Sequence, residues 1–197
     1  MARRSDHSRE ELKRLALDAA KEIVAQGGLQ SLRARAVADR IGYTVGTLYQ
    51  VFHNLDDLTE RMNTETLTEL FEYCQDARSD APAQERLNAL ADRFIAFANT
   101  NQNRWNAIIN HQLPADYERS EAYSRAVTRL LGLVEQVIAP LYPEGRESER
   151  LHDARVLWAG LYGIYALAAT NRLSKHETVA AMVGTLIEIF VSARSPN

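Results

Sequence analysis

Apolar residues recur at three- and four-residue intervals along almost the whole of this 197-residue chain, and no short segment alternates strictly between apolar and polar. That period suits one face of a helix and not the pleat of a half-buried strand, so the sequence predicts an all-α fold of about nine helices. Composition agrees. Hydrophobic residues make up 46% and charged residues 25%, and nine Gly with five Pro leave little for extended linkers.

The helix ends are marked by local chemistry. Ser8 can cap a first helix with Glu11 completing a capping box; Leu12, Leu15, Ala16, Ala19, Ile23 and Val24 form its apolar stripe, and Gly27-Gly28 ends it. Two short helices are expected next, from Arg33 to Ile41 and, capped by Thr44, on to Phe52, with Gly42 in the turn between them. Asn54 caps a connecting helix over 55–78. Pro82 opens another helix, and Trp105 to Gln112 forms a short one. A long helix is expected from Asp116 to Ala139, stopped by Pro140, then one from Glu147 to Arg172 and a final one, boxed by Ser174 and Glu177, to Ala193.

Charge and cysteine usage narrow the function classes. Residues 1–50 carry a net +3 and the other 147 a net −6, the asymmetry expected when one end meets a polyanion. Cys74 is the only cysteine, so an internal disulfide or thiolate metal cluster is excluded and a reducing compartment fits. The start, MARRSDHSREELKR, has no apolar stretch of the secretory kind, and the longest uncharged run, Val156–Asn171, falls short of the ~20 residues that span a bilayer. A cytoplasmic protein without membrane contact is expected. The five histidines, at 7, 53, 111, 152 and 176, are far apart, and no Glu-x-x-His pair, His-Glu-x-x-His, Gly-x-Ser-x-Gly or phosphate-binding glycine loop is present. Catalytic residues, a metal site and a cofactor are therefore not expected.

The segment 31–52, SLRARAVADRIGYTVGTLYQVF, has helix-turn-helix geometry: two helices of about two turns, a glycine turn, and small Ala38 where the helices cross. Val37, Ile41, Leu48 and Phe52 would fill the core beneath. An ordinary helical corner has the same spacing, so sequence similarity has to separate the two. The stretch ARAVADRIGYTVGTLYQVFHNLDDL, residues 34–58, resembles the TetR family of regulators, matching at Ala38, Gly42, Gly46, Thr47, Leu48, Tyr49, Phe52 and Leu58. It departs at Tyr43 for a small apolar residue, Val51 for the usual His and Leu55 for the usual Lys, the last removing a phosphate contact.

The resemblance implies a homodimeric, cytoplasmic, ligand-responsive regulator that binds double-stranded operator DNA and is released from it by a small-molecule effector. Residues 1–54 would form the DNA-binding domain and 55–197 the ligand-binding and dimerisation domain, with helix 55–78 connecting them. A recognition helix presents its N-terminal residues to base edges, here Thr44, Val45, Gly46 and Thr47. Tyr49, Gln50 and His53 follow on the same side for bases or phosphates. With no Arg or Lys between Tyr43 and Leu55, Arg33 or Arg35 is the candidate for guanine readout, a simple solvated role being the alternative. Lys13, Arg14, Arg33, Arg35 and Arg40 would supply charge to the backbone, with Arg3 and Arg4 on an N-terminal arm.

Farther along, VLWAGLYGIYALAATNRL, residues 156–173, resembles the Trp/His/Gly helix of a TetR C-terminal subclass, with Tyr162 where His is usual. Trp105, Tyr123, Trp158 and Tyr162 are expected to line an effector pocket, the alternative being an ordinary aromatic core. The last two helices are apolar on more than one face. Leu161, Ile164, Val179, Met182, Val183, Leu186, Ile187 and Phe190 would pair with a second copy across a four-helix interface, the alternative being burial within one chain. Two other classes stay open at this stage: a helical interaction module without DNA binding, and a helical-bundle enzyme.

Overall fold

The computed structural model describes residues 7–75, 80–114 and 116–194. Among them there are nine α-helices and no strand: α1 (Arg9–Gly27), α2 (Ala34–Ile41), α3 (Val45–Leu48), α4 (Leu55–Cys74), α5 (Ala83–Thr100), α6 (Gln102–Asn110), α7 (Glu121–Ile138), α8 (Glu147–Ala169) and α9 (Val179–Arg194). The all-α expectation holds.

The N-terminal helix ends are those the capping chemistry indicates. Ser8 Oγ accepts from the Glu11 amide while the Glu11 carboxylate accepts from the Ser8 amide, closing the capping box of α1. Gly42 ends α2 at φ +76°, in the left-handed region, and its amide donates back to Ala38 and Asp39. Thr44 Oγ1 accepts from the Thr47 amide to open α3, and Asn54 Oδ1 accepts from Asp57 to open α4. Past Leu48 the chain stays coiled to Phe52 through bonds of mixed i+3 and i+4 spacing.

Several boundaries differ from the sequence expectation, among them those of α6, which runs over Gln102–Asn110 and not from Trp105 to Gln112. α7 begins at Glu121 and not Asp116, because Ser120 Oγ caps it by accepting from the Tyr123 amide. α9 begins at Val179, capped by Thr178, while Ser174 and Glu177 close a turn before it and form no capping box. α8 ends at Ala169, and Asn171 at φ +54° turns the chain away. The expected end of the connecting helix near Arg78, and the arm carrying Arg3 and Arg4, lie outside the described residues.

The chain forms two compact units, divided differently from the expected break at residue 54. Among the described residues, the first holds those up to Thr66 together with those of 101–123, and the second holds those of 67–100 and those from Ser124 onward. In the first unit Leu12, Ala16, Val24, Val37, Leu48, Val51, Phe52, Leu58 and Met62 make one core, and Ala107 of α6 joins it. The Asn103 amide of the same helix donates to the Ala25 carbonyl at 2.8 Å, which accounts for α6 belonging with α1. In the second unit α9 packs on α5 and α8. Phe94 sits edge-on between Trp158 and Tyr165, at 5.6 and 5.7 Å between ring centroids.

Candidate nucleic-acid interface and effector cavity

In the first unit, α2 and α3 present a continuous exposed surface. Arg33, Arg35, Thr44, Gly46, Tyr49, Gln50 and His53 are exposed, Val45 and Thr47 are half-buried, and Leu48 alone turns fully inward from α3. The Tyr49 side leaves 44% of the residue in solvent, and a Cβ added at Gly46 would meet only Thr44 Oγ1, at 3.7 Å. Gly46 is therefore not required by packing within the unit; what it keeps free is the surface outside. The Thr44 and Thr47 hydroxyls lie 2.9 Å apart and hold each other in place. Arg35 is 3.7 Å from Asp39, and Arg40 pairs with Glu22 at 2.7 Å, so both guanidiniums are partly compensated.

Two of the three departures from the family pattern lie against the core. Val51 is 6% exposed, within the apolar cluster, and Leu55 packs against that cluster from its rim. Tyr43, the third departure, packs on the same cluster, and its hydroxyl lies 2.8 Å from His7 Nδ1.

Beside α3 lies a cleft of about 140 Å³ lined by Arg9, Lys13, Tyr49, Gln50, Val51, Phe52, His53 and Arg61. Arg9 and Arg61 were not indicated by the sequence. Arg9 and Lys13 are one helical turn apart on α1, a spacing that could have signalled a basic face. Arg61 meets them only through the fold. Lys13 Nζ donates to Glu10 at 2.8 Å, and this hydrogen bond, then the lysine's charge and the farther charges of Arg9 and Arg61, holds the Glu10 carboxyl below its ordinary range. Arg61 Nε donates to Asp57 at 2.6 Å, and Asp57 also accepts from the His53 amide.

The second unit encloses a cavity of about 40 Å³ between Leu70 and Cys74 of α4, Leu87, Leu90, Ala91 and Phe94 of α5, Leu130, Leu133 and Val134 of α7, Leu157, Trp158 and Leu161 of α8, and Val183, Leu186 and Ile187 of α9. Its wall is hydrocarbon apart from the indole of Trp158 and the thiol of Cys74, which burial pushes up to about 11. Of the four aromatics expected at a pocket, only Trp158 lines it. Trp105 is fully buried in the first unit, Tyr123 belongs to that unit too, beneath the Arg119 guanidinium at 4.5 Å, and Tyr162 is half-buried one turn from Trp158 without reaching the cavity. Trp105 and Tyr123 thus belong to the first unit, and Trp158 and Tyr162 to the second.

The residues expected at a dimer interface also separate. Val183 and Ile187 are 3% and 4% exposed, facing the interior of their own unit, which corrects their expected place on an intermolecular surface. Leu161 and Leu186 line the cavity. A Cβ at Gly160 would lie 2.6 Å from Leu186, so this glycine serves the α8 and α9 contact within the chain. Ile164, Val179, Met182 and Phe190 remain half-exposed, Gly163 and Gly184 face open space, and Leu167 and Ile189 are exposed nearby on the same two helices.

Among the described residues no group of His, Cys, Asp and Glu could hold a metal ion, and no helix is long and apolar enough to cross a membrane. Comparison with known proteins adds lineage. Residues 16–62 match the family of bacterial regulatory proteins called tetR, and residues 87–190 match the tetracyclin repressor-like C-terminal domain. No curated protein matches by sequence. Solved structures do. A TetR transcriptional regulator from Rhodococcus sp. RHA1 is 16% identical over 92% of this chain and 97% of its own, with a TM-score of 0.72. The transcriptional regulator FadR from Bacillus subtilis, in complex with stearoyl-CoA, is 19% identical over 91% of this chain and 97% of its own, with a TM-score of 0.63. A protein of unknown function from Rhodococcus sp. RHA1 is 19% identical over 98% of both chains, with a TM-score of 0.72. At such identities the likeness is one of fold, and the family rests on the matched models, of which the C-terminal one covers more than half of the chain. With a helix-turn-helix surface at one end and a helical domain of the repressor type at the other, the chain belongs to the TetR family of ligand-responsive, DNA-binding transcriptional regulators.

Proposed function

We propose that two copies of this chain bind one pseudo-palindromic operator through their α3 surfaces, and that an effector with an apolar body, held in the second unit, releases them. The observation that carries the reading is the exposed row Thr44, Gly46, Tyr49 and Gln50, which nothing in the first unit's packing requires. Two such helices in successive major grooves stand about 34–36 Å apart, which sets the operator half-site spacing. The half-exposed Ile164, Val179, Met182 and Phe190 are the residues offered to the partner copy. The hydrocarbon wall around Trp158 favours an apolar effector, and the acyl-CoA complex of the similar FadR supports that class. The protein then acts in the cytoplasm, where operator and effector meet.

Release requires the effector to bind better to a conformer whose heads are wrongly spaced, since only differential affinity moves an equilibrium. α4, which changes units between Thr66 and Leu67, is the element through which we route that coupling. A gel shift with duplex DNA from upstream of the protein's own coding sequence tests the reading. A complex that weakens steeply with salt, formed by a dimer in sedimentation, is expected. A monomer with no DNA complex at low salt would favour an interaction module instead.

A further inference from the structure

The cleft beside α3 has a composition that the fold does not explain. Three cations, Arg9, Lys13 and Arg61, from two different helices converge on a concavity whose remaining wall includes Tyr49, Gln50 and His53, three of the residues expected at DNA. Like charges gathered in this way repel, and among the described residues Glu10 and Asp57 compensate two of the three, from outside the lining. The arrangement is also open to use. Arg61 is 47% exposed, and its Nε bond to Asp57 orients the guanidinium while leaving the terminal amino groups for a second acceptor. Meanwhile the two positions that carry His and Lys in the family pattern are apolar, Val51 within the core and Leu55 packed on its rim.

We infer that this cleft seats a phosphodiester of the DNA backbone, with Arg9, Lys13 and Arg61 supplying from α1 and α4 the charge that Val51 and Leu55 cannot. The inference rests on the DNA-binding reading and adds the location of the backbone contacts. A guanidinium and an ammonium both donate to phosphate oxygens, and a contact of this type positions the recognition helix without reading sequence. Tyr49, at the lip, could donate its hydroxyl to the same phosphate.

The test is the salt dependence of binding to a mixed-sequence DNA duplex, read by fluorescence anisotropy between about 50 and 200 mM salt. One neutralised phosphate contributes about 0.9 to the slope of log affinity against log salt, so Arg61→Gln, Lys13→Gln and Arg9→Gln should each flatten it by part of that amount, and the triple variant by about the whole of it. Arg146→Gln, an exposed arginine in the second unit, should leave the slope unchanged. Unchanged slopes in all three cleft variants, or an equal loss in Arg146→Gln, would overturn the inference while leaving DNA binding intact. If the unaltered protein shows no salt-dependent complex at all, the DNA-binding reading falls with it. Should Arg61→Gln lower the melting temperature by releasing Asp57, Lys13→Gln and Arg9→Gln decide the matter.

Discussion

The carboxylate of Glu60, 2% exposed on α4, accepts the backbone N–H of Ser120 at 2.7 Å, tying the residue that caps α7 to the middle of another helix. Its second oxygen lies 3.7 Å from Arg119 Nη1. Glu60→Ala removes this charge-assisted hydrogen bond, so a loss of about 1.5–3 kcal/mol is expected in urea unfolding. Glu60→Gln keeps an acceptor and should cost clearly less. Equal losses for the two variants would mean that the ion pair, not the amide bond, holds the segment.

Asn63, one turn farther along α4, is 1% exposed, and neither atom of its side-chain amide has a hydrogen-bond partner among the described residues. Burying an unsatisfied amide costs about 1–3 kcal/mol, so Asn63→Leu, similar in volume and apolar, should raise the unfolding midpoint. A lowered midpoint would report a bound water or polar ligand on that amide.

Gly42 and Gly46 lie four residues apart and should answer alanine substitution in opposite ways. At Gly42 nothing lies within 4 Å of an added Cβ, so the cost, about 1–2 kcal/mol, is that of the left-handed backbone alone. At Gly46 the helix accepts a Cβ and should gain up to about 1 kcal/mol, while DNA affinity falls because the methyl group occupies the contact surface. Tyr49→Ala should likewise weaken DNA binding with a stability change within about 0.5 kcal/mol. Unfolding of the Tyr49 variant, or full DNA affinity in the Gly46 variant, would place the recognition face elsewhere.

Alkaline pH should weaken the fold. Burial holds the Cys74 thiol up at about 11, whereas in the unfolded chain it titrates near its ordinary value of 9.0. The unfolded state therefore loses its proton first, and the thiol's contribution to stability is complete below about pH 8.5 and lost as pH rises through 11. Tyr142, pushed up by burial and by its hydrogen bond to Asp153, acts in the same direction. Unfolding midpoints measured from pH 7 to 10.5 should fall, and Cys74→Ala, though less stable throughout, should fall less steeply. Parallel curves would show that the thiol stays solvated.

Local chemistry made the N-terminal helices legible: Ser8 with Glu11, Gly42, Thr44 and Asn54 each fix a helix end through bonds spanning a few residues. The same reading misplaced the starts of α7 and α9. Ser120 and Thr178 also cap locally, but several polar residues precede each helix, and for α7 the choice is reinforced by Glu60, sixty residues away in sequence. The family pattern indicated the row Thr44, Gly46, Tyr49 and Gln50, which is exposed. It could not indicate Arg61, which joins the cleft only when α4 crosses α1, nor that Trp105 and Trp158 lie in different cores. Periodicity shows that a residue turns inward; it carries no information on which interior it enters.

The contribution of α6 to the first unit bears on how regulators of this kind exchange parts. Ala107 completes the apolar cluster under α1, and Asn103 fastens to Ala25, so the DNA-binding unit is discontinuous along the chain. A fragment cut after residue 54 would leave Val24 and the other core residues without their cover from α4 and α6. A hybrid that joins this head to another sensor domain at a single point would inherit a foreign α6 against α1, and would need the match between those two surfaces, more than the length of any linker, to be rebuilt.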